Sequence, residues 1–153
     1  MSTHETYGER AAEALAQYNN EAPDDMLTLT TADRIHYGTA ALQAITARRF
    51  ATRHQAARDF RALVADLFHL AHGRITAGGL WLAAQEIRHH RPGVEHSVTV
   101  LRAVEVDQCA ALLAALVEAA QAHGIETAEL FSAARAQFEA ENEAADRSRH
   151  AAA

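Results

Sequence analysis

Apolar residues recur every three or four positions through most of this chain, a spacing that predicts α-helices. Tyr7, Ala11, Leu15 and Tyr18 mark a short amphipathic helix over residues 5–18. Asn19, Asn20, Pro23, Asp24 and Asp25 break it, and a polar linker runs on to about Thr31. Thr31 or Asp33 is placed to cap a second helix carrying Ile35, Leu42 and Ile45. Residues 47–72 contain neither proline nor glycine and carry the stripe Phe60, Leu63, Val64, Leu67, Leu70 and Ala71. That helix stops at Gly73, a residue that tolerates the left-handed conformation closing a helix. Thr76 caps the next one, with Leu80, Trp81, Ala84 and Ile87 inward, and Arg91-Pro92-Gly93 stops it. Ser97 opens the longest apolar stretch, 98–122, whose stripe is Leu101, Val104, Gln108, Leu112 and Leu116. The β-branched alternation over 98–106 leaves a strand as the alternative there. Gly124 ends this helix, and Thr127 begins the last one, with Leu130, Phe131, Ala134 and Phe138 inward. From Glu139 onward, acids, arginines and terminal alanines read as a fraying end.

The predicted fold is therefore all-α: five to six helices, with two stacked helical hairpins forming a single bundle-like domain. Its expected organisation is an acidic N-terminal helix and linker over 1–30, a helical domain over 31–146 and a flexible tail over 147–153. Composition agrees. Only 7 glycines and 2 prolines occur, far too few for the turns of a sandwich or barrel. Alanine supplies 37 of the apolar residues, so the larger apolar side chains suffice for one thin core. On the long helix, Leu113 and Val117 lie outside a stripe that one neighbouring layer covers. The expectation is that they form an interface and that the protein is a homodimer.

Charge changes the picture more than composition does. All 14 basic residues are arginine, which with the alanine load fits a GC-rich bacterial source. The chain reads acidic, basic, acidic: residues 1–33 carry a net −6, 34–102 a net +6 and 103–153 a net −6. Either the flanks fold onto the middle and neutralise it, or the middle contacts phosphates or an acidic partner. No stretch approaches a membrane span, and a single cysteine, Cys109, excludes an internal disulfide and fits a reducing cytoplasm.

Candidate chemistry is sparse. Among ten histidines, His69 and His72 share a helix face, and Glu86 with His89 makes one E-x-x-H. A hairpin turning at Gly73 holds these pairs ~15–20 Å apart, beyond any shared coordination sphere, so neither a metal nor another cofactor is expected. No phosphate-binding loop motif and no clustered magnesium carboxylates occur. Cys109 has apolar neighbours and reads as a small core residue rather than a nucleophile. The residues nominate no catalytic constellation.

One segment resembles a known family. Residues 61–104 run helix, Gly73, Ile75-Thr76-Ala77, a helix with Leu80-Trp81, Arg91-Pro92-Gly93, then Thr99-Val100-Leu101-Arg102. This is similar to the winged-helix half of ferric-uptake-regulator proteins, whose last helix carries a Thr-Val-Tyr-Arg run into the major groove. Leu101 stands at the tyrosine position, and neither a wing nor a C-x-x-C follows. The resemblance implies a DNA-binding regulator in which Thr99 and Arg102 meet DNA. Independently, Arg48, Arg49 and Arg53 form a basic row suited to phosphates. The leading expectation is a non-catalytic, cytoplasmic protein that contacts another copy of itself or a protein partner, with nucleic acid as the alternative.

Overall fold

The computed structural model describes residues 3–22, 29–46, 53–89 and 104–152. They form six helices: α1 (Thr3–Glu21), α2 (Thr31–Thr46), α3 (Arg53–Ala71), α4 (Ala77–Arg88), α5 (Val104–Ala122) and α6 (Thr127–Ala152). No strand occurs among the described residues. Val104–Val106 begins α5, so that part of the candidate strand is helical; residues 98–103 lie outside the described chain.

Local chemistry accounts for the helix ends. The Thr30 backbone N–H donates to Asp33 Oδ2 and the Asp33 N–H donates to Thr30 Oγ1, each at 3.1 Å. This reciprocal capping makes Thr30, rather than Thr31 or Asp33, the cap of α2. Thr76 caps α4 as expected, its hydroxyl accepting from the Gly79 N–H at 3.0 Å. Gly73 and Gly124 take the positive φ values of 91° and 79° that close α3 and α5.

The most extensive contact joins helices that are not neighbours in sequence. α5 lies against α2 and α4, α3 lies against α1 and α6, and α1 also packs on α2. Across the turns at Gly73 and Gly124 the successive helices touch only slightly. α5 is the hub, in contact with all five other helices, and every residue from Cys109 to Ala120 is buried. Its alanines make this possible, because small side chains let several neighbours approach one helix at once. α2 comes very close to α5 at one point: a Cβ built on Gly38 would lie 2.3 Å from the Ala115 carbonyl oxygen. Only glycine fits there.

Two expectations are corrected. Leu113 and Val117 are both 0% exposed within the single chain. The wide apolar face of α5 is covered by the chain's own helices, so these residues form no surface interface. Nor does the chain fray from Glu139, since α6 runs to Ala152 and includes residues 147–152, expected as tail. Phe138 and Ala145, a seven-residue step apart, continue its buried face.

Candidate functional site

Two features on opposite flanks of α1 stand out from an otherwise apolar bundle. Helical spacing puts Arg10 on one flank and Ala12, Ala16 and Asn19 on the other, with Tyr7, Ala11, Ala14 and Tyr18 on the inward face between them.

The first flank forms a polar seam with α3 and α6. Arg10 reaches Asp66 through two nitrogens, Nε to Oδ2 at 3.1 Å and Nη2 to Oδ1 at 3.2 Å. The arginine is half exposed while the Asp66 side chain is 2% exposed. Burial pushes the Asp66 carboxyl up to about 7; Arg10 pulls against that shift and the Glu141 charge adds to it. One turn along α3, His69 Nε2 lies 3.5 Å from Glu141 Oε1. The Tyr7 ring stacks on His69 at 4.7 Å, and Phe138 closes the imidazole's other side edge-on, also at 4.7 Å. Burial raises the Tyr7 phenol, and its hydrogen bond to Glu141 raises it further. Five polar side chains thus meet in a partly buried seam, with Asp66 and His69 at its inner side and Arg10 at the surface. Its chemistry is that of a clasp between helices.

A second polar cluster ties α4 to α5. Arg88 donates to Glu118 at 3.0 Å, to Gln85 at 2.6 Å and to Gln121 at 2.9 Å. Arg34, 4% exposed, donates to the Ile87 carbonyl at 3.1 Å and joins α2 to the end of α4. Arg88–Glu118 is a contact of the basic middle with the acidic C-terminal third; Arg10–Asp66 runs the other way, from an arginine of the acidic first third.

The other flank of α1 opens into a cleft of about 380 Å³. Ala12, Leu15, Ala16 and Asn19 form one wall, Leu70 and Ala71 of α3 a second, and Val106 and Cys109 of α5 a third. Arg74, exposed on the turn after α3, stands at its edge. Burial pushes the Cys109 thiol up to about 11, partly offset by the Arg74 charge. The thiol is therefore neutral, and Cys109 acts as an apolar wall.

Most of the other sequence-predicted site residues fall outside the described chain. Arg48, Arg49, Thr99 and Arg102 lie outside the described residues, and Arg53 is the first residue of α3. Arg61, further along α3, turns inward to Gln137 at 3.1 Å. His69 is buried in the seam, whereas His72, Glu86 and His89 are exposed. Among the described residues no group of three metal-ligating side chains occurs, and no helix is long and apolar enough to cross a membrane. Sequence reasoning missed Asp66, Glu141 and Arg10. Its available signal was an acid, Asp66, within the apolar run Leu63 to Phe68.

Compared with known proteins, the chain matches no family model, no curated protein and no solved structure.

Proposed function

We propose that the protein is a non-catalytic binding module that takes an apolar guest in the cleft between α1, α3 and α5. The observation carrying this reading is the cleft itself. Its volume falls within the ~300–1,000 Å³ of small-molecule sites, and its walls are apolar with polar groups only at the rim. The titratable groups most displaced by burial in the described chain, apart from Cys109, sit elsewhere: Tyr7 and Asp66 in the polar seam, and Tyr18 beside Arg34 and Tyr37. Among the described residues the surface offers no broad apolar patch for a protein partner; Leu82 is the single large hydrophobe left exposed.

The test is a titration with 1-aminoanthracene, an uncharged apolar fluorophore. The expected result is a saturable, one-site rise in fluorescence. It should be lost in Ala16→Trp or Ala12→Trp, which fill the cleft from exposed positions, while the circular dichroism stays helical. An unsaturable signal, or one that both variants leave unchanged, overturns the reading.

A further inference from the structure

We infer that α6 from Glu141 onward is an arm operated by protons: it lies on α3 while Asp66 is neutral and lifts away once Asp66 is charged, whereas α1 stays in place. The surroundings of Asp66 give the direction. Its side chain, 2% exposed, meets charges of opposite sign on its two sides. From α1, Arg10 grips both carboxyl oxygens, at 3.1 and 3.2 Å. From α6 comes Glu141, a like charge that opposes the ionisation of Asp66. Glu141 is itself bonded to the Tyr7 hydroxyl of α1 and faces His69 of α3, Nε2 to Oε1 at 3.5 Å. Charging Asp66 therefore tightens the grip of α1 and sets a carboxylate of α3 against one of α6.

Anchorage decides which carboxylate yields. Asp66 lies in the middle of α3 with buried residues on both sides from Leu63 to His69, and it cannot reach water unless a neighbouring helix moves. Glu141, 16% exposed, sits past the last large anchor of its own helix. Leu130, Ala134 and Phe138 are buried before it; after it, as far as Ser148, Ala145 alone is buried. Lifting the arm gives up one small apolar contact and the two partners of Glu141, and it lets water reach Asp66. Burial and Glu141 raise the Tyr7 phenol above its ordinary 10.0, so Tyr7 keeps its proton and does not drive the change. The Asp66 carboxyl is pushed up to about 7 in the closed seam and returns towards its ordinary 3.8 once wetted. Closure is thus favoured below that range and lost as the pH rises through about 7, with opening about tenfold more favourable at pH 8.5 than at pH 6.

The experiment is amide hydrogen exchange of the full chain, read by mass spectrometry at pH 6 and pH 8.5 with labelling times scaled to the intrinsic rate. Protection over residues 142–148 should fall about tenfold between the two, while that of residues 8–18 in α1 holds. Asp66→Asn, the same shape without the titration, should keep the arm closed at both pH values, and Glu141→Gln should reduce the fall. The comparison of α6 with α1 in the native chain needs no variant. An equal loss from both helices, or protection over 142–148 that ignores pH, overturns the arm. A fall that persists in a folded Asp66→Asn chain places its origin in His69 and Glu141 and overturns Asp66 as the trigger.

Discussion

Where α2 meets α5, backbone lies almost on backbone, because Gly38 has no side chain to keep Ala115 away. Where α1 meets α3 and α6, long polar side chains fill the gap, and the buried Asp66 carboxylate is held by the half-exposed Arg10. The first contact gains by close packing of small groups and has no dependence on protonation. The second draws charges out of water, and its stability follows the proton. One bundle thus contains a joint that tolerates no added volume and a joint whose strength depends on protonation.

The comparison breaks most sharply at Gly38. A Cβ there meets the Ala115 carbonyl oxygen at 2.3 Å and its carbon at 2.6 Å, and backbone cannot swing aside. Gly38→Val should cost on the order of 4–5 kcal/mol and leave little folded protein, as read by urea denaturation. Losses below about 1 kcal/mol would show that α2 and α5 lie further apart.

The seam should answer to pH instead. Asp66 rises from its ordinary 3.8 to about 7, so between those values the folded chain holds a proton that the unfolded chain has released. Stability from this group is complete below about pH 4 and is lost as the pH climbs through about 7, by up to about 4 kcal/mol. Urea midpoints measured across that window should fall with rising pH, and Asp66→Asn should flatten the slope. An unchanged slope in that variant would remove Asp66 as its origin.

Leu113→Ala sharpens the contrast at the centre. Leu113 is 0% exposed, so truncation should cost about 3 kcal/mol at every pH, as chemical denaturation would show. The smallest effect belongs to neither joint. Thr30→Ala removes the hydroxyl that receives the Asp33 N–H and should lower the melting stability by about 1 kcal/mol.

Much of this architecture is legible in the residues. Thr76, Gly73 and Gly124 mark helix ends because capping and left-handed turns are local chemistry, and local chemistry is written in neighbouring residues. The Thr30–Asp33 pair is equally local, yet with Thr30, Thr31 and Asp33 all able to cap, the sequence points to Thr31 or Asp33 and misses Thr30. What periodicity cannot convey is how many helices surround one helix. Leu113 and Val117 look surplus to a single stripe, and α5 buries them by having five neighbours. The seam is hidden for a related reason: Arg10, Asp66 and Glu141 are 56 and 75 residues apart in sequence and meet only after α1, α3 and α6 have packed. The cleft is hidden too, since Ala12 and Ala16 read as an ordinary solvent face of α1 until α5 supplies the third wall.

The enclosure of α5 also bears on the order in which the chain gains structure. Its partners come from both sides of it in sequence, α1 to α4 before and α6 after. Until α5 is made, α2 and α4 therefore lack their main partner, and α3 lacks its α6 wall until the last helix has been made. Folding is then expected to be a single cooperative event instead of stepwise hairpin growth, with contacts distant in sequence closing late. Amide protons in the middle of α5, around Leu112 to Leu116, would exchange with solvent only when the whole molecule opens.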